Sequence, residues 1–156
     1  MIEVLTFSEQ QTQKIGRKLG DLLKAGDIVC LDGELGVGKT AFTRGVALSL
    51  GISDHLTSPS FSIVNEYVTL KGKFLHFDVY RLYNIDDLYD IGFDEYINSD
   101  NIIVIEWAMK IKADLPHDCN IIQVFINKIN DENLDERSIK IYFDNIDIDA
   151  DLFTID

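Results

Sequence analysis

Two hydrophobic periods alternate along the chain and divide it into strands and helices. Ile2 to Phe7 alternates apolar with polar positions, the two-residue period of a strand, and Ser8-x-x-Gln11 follows as a capping box that opens a helix. Ile15, Leu19, Leu22 and Leu23 give that helix one apolar face. Gly26-Asp27 turns the chain into Ile28-Val29-Cys30-Leu31, a short apolar run with β-branched residues that suits a strand covered on both faces. Thr40 to Leu50 returns to helical spacing, with Phe42, Val46 and Leu50 on one face and Gly51 as the stop.

The second half is richer in strands. Phe61 to Leu70 carries Phe, Ile, Val and Tyr, and Lys71-Gly72-Lys73 is a tight turn into Phe74 to Tyr80, so a β-hairpin is expected and the sheet is not purely parallel. Asn84 to Tyr96 is acidic, with Ile85, Leu88 and Ile91 at helical spacing, which predicts a short helix ended by Gly92. Ile102-Ile103-Val104-Ile105 places four β-branched residues in a row, the signature of a buried parallel strand. After Pro116, Ile121 to Ile129 and Ser138 to Phe143 predict an antiparallel pair closing one edge of the sheet. Asp144 to Asp156, with its aspartates and little periodicity, reads as a solvated or frayed tail.

Size and charge narrow the picture. The 156 residues suit one domain, residues 1–144, followed by an acidic tail, 145–156. A formal net charge of −13 excludes a broad basic surface that grips nucleic acid unaided; RNA would come close through a local patch or a partner. Cys30 and Cys119 lack metal spacing and read as reduced thiols of an intracellular protein. The apolar runs are too short to span a bilayer and Met1 leads into Glu3 rather than a basic leader, so a cytoplasmic location is expected. His55, His76 and His117 show no ligand spacing and read as ordinary polar residues.

Between the first apolar strand and the second helix, Gly33-Glu34-Leu35-Gly36-Val37-Gly38-Lys39-Thr40 fits G-x-x-x-x-G-K-[ST]. In such a loop backbone N–H groups wrap a nucleotide's phosphates at the positive end of a helix, and Lys39 is expected to face solvent as a phosphate ligand. Glu106, the first acid after the β-branched run, lies at the carboxyl end of its strand, where open α/β sheets bind ligands. It is a Walker B candidate for holding Mg²⁺, against the plainer reading of a solvated strand end. Asp78 ends the second hairpin arm and has the same two readings. Thr57-Ser58-Pro59-Ser60 is either a nucleotide-sensing loop or a solvated turn, and Trp107 could simply pack in the core. A guanine-reading N-K-x-D motif is missed by one residue in Asn127-Lys128-Ile129-Asn130-Asp131, so ATP is the expected nucleotide. Among the arginines only Arg81 is well placed by sequence; Arg17 and Arg137 lie in distant segments.

From Gly33 to Pro116 the chain resembles the TsaE family, small P-loop ATPases of bacterial tRNA threonylcarbamoyladenosine synthesis. The resemblance runs through the phosphate loop, Thr43-Arg44-Gly45, Ser58-Pro59-Ser60-Phe61, Val64-Asn65-Glu66-Tyr67, His76-Phe77-Asp78-Val79-Tyr80-Arg81-Leu82 and Ile105-Glu106-Trp107. It implies that Gly33, Glu34, Gly36, Val37, Gly38, Lys39, Thr40 and Ala41 bind ATP and that Thr40 and Glu106 coordinate Mg²⁺. Asp78 would be an essential acid near the γ-phosphate, so Asp78 and Glu106 are the catalytic candidates. Ala41 stands where the family usually has Thr or Ser, which leaves only its backbone N–H for the α-phosphate.

These readings converge on an α/β fold: a P-loop NTPase-like three-layer sandwich with a mixed parallel and antiparallel sheet. The family resemblance implies an ATPase subunit, weak alone and stimulated by partners, that couples ATP turnover to the cycle of a two-protein threonylcarbamoyl transferase complex with TsaB- and TsaD-type subunits. It would meet tRNA indirectly through that complex. The alternatives are a P-loop kinase, which needs an acceptor pocket and an Arg-rich lid, and a nucleotide-dependent interaction switch.

Overall fold

The structure, a computed structural model, describes residues 1–53, 56–97, 100–130, 133, 135–144 and 148–155. His55 and Asp131 lie outside the described residues. The chain runs β1 (Ile2–Thr6), α1 (Glu9–Leu22), β2 (Asp27–Asp32), α2 (Lys39–Ser49), β3 (Val64–Thr69), β4 (Gly72–Asp78), α3 (Asp86–Tyr89), α4 (Phe93–Ile97), β5 (Ile102–Glu106), β6 (Asn120–Lys128) and β7 (Arg137–Phe143). Short 3-10 turns follow β5 and close the chain at Ala150–Phe153.

One seven-stranded sheet has the order β1-β7-β6-β2-β5-β4-β3. Its centre, β6-β2-β5-β4, is parallel, and the flanking pairs β3/β4, β6/β7 and β1/β7 are antiparallel. This is the expected mixed α/β sheet with one correction. The β6/β7 pair does not form the edge, because β1 pairs outside β7, with Ile2 opposite Ile141. The alternation in β1 marks it as a strand, but nothing local to it names its partner.

Alternation along the central strands sorts side chains into two cores. Val29, Leu31, Phe74, Ile102 and Val104 face α1 and α2, while Ile28, Cys30, Leu75, Phe77, Ile103 and Ile105 face a layer made by α3, α4 and the turns after β5. On the first face α1 and α2 approach closely. A Cβ on Gly45 would lie 2.0 Å from the Gln13 carbonyl oxygen, and one on Gly16 2.1 Å from that of Phe42, so only glycine lets these backbones meet. Ser8 caps α1 by accepting from Gln11 N–H at 3.2 Å, while the Gln11 side chain accepts from Phe7 N–H at 2.7 Å.

Two further expectations change. The helix expected over 84–96 does stop before Gly92, at φ +82°, but a second helix follows it, because Leu88 and Phe93 both enter the second core. The stretch read as a solvated tail sends Phe153 into the first core, against Phe143, with ring centroids 6.4 Å apart. Its aspartates dominate the composition, but one buried phenyl ring outweighs them locally.

Candidate functional site

The phosphate-loop motif leaves the carboxyl end of β2 and enters α2, and Gly38 caps that helix at φ +111°. A side chain at Gly38 would be strained and would meet the Arg137 Nε at 3.2 Å. Lys39 is not solvent-facing, contrary to the sequence reading: it is 5% exposed. Its ammonium donates to the carbonyls of Gly33 at 2.7 Å and Glu34 at 2.8 Å and lies 3.9 Å from the centroid of the Trp107 ring. The loop carbonyls and the indole face supply what water would otherwise give a cation. Burial pushes the Lys39 ammonium below its ordinary value, while Glu106, Asp78 and Asp32 act to raise it.

Strand register explains how the acids reach this lysine. Asp78 on β4 pairs with Glu106 on β5, and the two-residue period puts both on the α2 side, along with His76 and Val104. Glu106 is 2% exposed and accepts from Thr40 Oγ1 at 3.4 Å, a long contact, and from His76 Nε2 at 2.8 Å. With Glu106 ionised, the His76 Nε2 carries the shared proton; its Nδ1 has no partner among the described residues. His76 is thus a fully buried support for the metal-binding candidate rather than an ordinary polar residue. Its signal in the sequence was its place two residues before Asp78, on the same strand face.

Asp78 Oδ2 accepts from Ser58 Oγ at 2.7 Å and Oδ1 from Tyr80 N–H at 3.0 Å. Ser58 therefore ties the polar loop to the hairpin acid. The loop closes on Ile63, whose φ of +68° is costly for a β-branched residue, and whose carbonyl accepts from Asp78 N–H at 2.9 Å. Trp107 also has a left-handed backbone, φ +64°, directly after Glu106, and that turn sets its ring over Lys39. Asp32, at the end of β2, accepts from Met109 N–H at 3.0 Å; burial pushes its carboxyl above the usual range.

Lys39, Thr40, Ala41, Asp78 and Glu106 line one cavity of about 510 Å³, together with Arg44, Arg81 and Arg137. Arg81 lies over the Phe61 ring at 4.7 Å, and Arg44 donates to the Leu56 carbonyl. Arg137, read from sequence as remote, instead donates from Nε to the Val37 carbonyl at 2.6 Å. Only the return of β7 past the loop brings it there.

The donor set fits a hard divalent cation. Thr40 and Glu106 offer oxygen only, and three carboxylates act on the single ammonium of Lys39. Among the described residues no group of three or more His, Cys, Asp or Glu is placed to hold a metal ion. Among the described residues no helix is long and apolar enough to cross a membrane.

Comparison with known proteins gives a consistent result. The family described as threonylcarbamoyl adenosine biosynthesis protein TsaE matches residues 6–139. A tRNA threonylcarbamoyladenosine biosynthesis protein TsaE from Bacillus subtilis is 37% identical over 134 residues, 86% of this chain and 80% of the relative. One from Aquifex aeolicus is 37% identical over 142 residues, 90% of this chain and 95% of the relative. The crystal structure of Bacillus subtilis YdiB superposes with a TM-score of 0.71 at 32% identity, covering 90% of this chain and 83% of that one.

Proposed function

Since the chain belongs to the TsaE family, we propose that it binds and hydrolyses ATP as the energy-coupling subunit of tRNA threonylcarbamoyladenosine synthesis. The observation that carries this reading is the meeting of Lys39 and Thr40, from the start of α2, with Asp78 and Glu106, from the ends of β4 and β5, around one cavity. Gly33, Glu34, Gly36, Val37, Gly38 and Ala41 would present backbone groups to the phosphates, and Lys39 would exchange its loop carbonyls for phosphate oxygens. Thr40 and Glu106 would hold Mg²⁺, which when bound neutralises charge developing on the transferred phosphoryl group. His76 keeps the Glu106 carboxylate turned toward Thr40.

Asp78 would orient the attacking water, accepting its proton as the bond to the γ-phosphorus forms and ADP leaves. In the present arrangement Ser58 donates to that carboxylate, which ties its basicity and orientation to the polar loop. This favours slow turnover by the lone chain, with two partner proteins of the TsaB and TsaD type moving the loop in the cytoplasm; tRNA would be met through them. Steady-state ATPase assays, alone and with those two proteins plus tRNA, test the proposal. Slow basal turnover that rises on addition is expected. Fast turnover indifferent to the additions would refute it.

A further inference from the structure

We infer that Arg137 is a positioning residue of the phosphate loop: it fixes the Val37–Gly38 peptide so that the Gly38 N–H is held ready for a nucleotide phosphate. The inference rests on the proposed nucleotide site and adds to it a residue from the far end of the chain.

Arg137 opens β7, where its backbone sits between Thr6 of β1 and Lys128 of β6. From that anchored position its Nε–H reaches the Val37 carbonyl at 2.6 Å. A trans peptide is planar and carries its C=O and N–H on opposite sides. Holding the Val37 oxygen toward the guanidinium therefore holds the Gly38 N–H on the opposite side of that peptide. That N–H has no protein partner among the described residues. Lys39 performs the matching task at the other end of the loop, on the Gly33 and Glu34 carbonyls.

The rest of the guanidinium is hard to explain by stability. Arg137 Nη1 is enclosed without a hydrogen-bond partner, and among the described residues no carboxylate forms an ion pair with Arg137, in a chain whose formal net charge is −13. Arg137 is half-buried on the cavity wall, and an enclosed guanidinium N–H without a partner is unfavourable where it only packs. Beside an anion-binding loop it adds positive potential to the phosphate position and supplies a rigid planar donor that a lysine cannot reproduce. Gly38 completes the fit, because a side chain there would press on the Arg137 Nε.

The test compares the full chain with Arg137→Met, Arg137→Lys and Lys39→Ala by calorimetric titration of MgATP and MgADP, thermal melting without nucleotide, and the amide ¹H–¹⁵N resonance of Gly38 with and without MgADP. Loss of the donor and its charge should weaken both nucleotides by about 10- to 100-fold in Arg137→Met. The nucleotide-free melting midpoint should stay within a few degrees, and the ADP-induced Gly38 shift should shrink. Arg137→Lys should recover part of the affinity through charge but not the Gly38 shift; if Arg137→Met does not fold, this variant decides. Affinities within about twofold of the parent, with an unchanged Gly38 shift, overturn the inference while leaving the nucleotide site intact. A parent chain that binds neither nucleotide, or a Lys39→Ala variant that binds as well as the parent, overturns the nucleotide reading itself.

Discussion

Lys39→Ala separates the fold from the ligand, because the structure gives the side chain work in both. Without nucleotide its ammonium satisfies two loop carbonyls and covers the Trp107 ring. Glu34 is exposed and Gly33 half-buried, so water can replace the lost donor. Each such hydrogen bond is worth about 0.5–1.5 kcal/mol net, and the variant also removes a cation that burial disfavours. The folded protein should therefore lose no more than about 2 kcal/mol, a fall of roughly 4–8 °C in melting midpoint for a domain of this size. The ligand term is larger. A hydrogen bond to a charged group contributes about 1.5–3 kcal/mol, so MgATP should bind roughly 10- to 150-fold more weakly.

Titration with a fluorescent ATP analogue measures the second effect and thermal melting the first, while Trp107 emission should change in the nucleotide-free variant because a cation leaves the ring face. Lys39 also has a pH signature. With its folded value below 10.5, the unfolded chain binds more protons in the alkaline window between the two, so this group adds stability as pH rises there, and the alanine variant lacks that gain. Undiminished affinity would refute the phosphate-loop assignment, and a fall of more than about 15 °C would show that Lys39 is a core residue first.

Glu106→Gln should weaken Mg²⁺-dependent ATP binding by at least about tenfold, read by titration with and without the metal, since it removes the charge that offsets the cation. Asp78→Asn should leave binding nearly intact and slow hydrolysis by about 10²–10⁴ in a single-turnover assay; equal turnover would return Asp78 to a plain strand end. Gly45→Ala should destabilise by about 1–3 kcal/mol, seen in urea melts, because the new methyl group meets the Gln13 backbone between α1 and α2. Burial and the nearby Asp32 push the Cys30 thiol up to about 12. Between its ordinary value of 9.0 and 12 the folded state holds a proton that the unfolded state releases, so this thiol lowers stability as pH rises there. In native protein at pH 8, alkylation should therefore label Cys119 and spare Cys30, with modification of Cys30 at a matching rate counting against its burial.

How much of this was legible in the sequence depends on the distance over which each signal acts. The phosphate loop, the capping box at Ser8 and the β-branched run before Glu106 are local patterns, and each element formed where its pattern lay. The convergence of Asp78 with Glu106 needed one further fact, the parallel pairing of β4 with β5, which two strand ends in one α/β sheet make natural. The misses all concern partners. Composition hid Phe153 among aspartates, and the stop read at Gly92 gave no sign of α4, because a left-handed glycine ends a helix without forbidding its restart. His76 looked ordinary because its neighbour is thirty residues away on another strand. Arg137 was the hardest, since it reaches Val37 across one hundred residues, and its contact exists only because β7 runs antiparallel to β6, a strand itself parallel to β2 beneath the loop. The loop motif specifies a backbone that can surround a phosphate. The side chains that hold that backbone in shape come from wherever the sheet order happens to bring them.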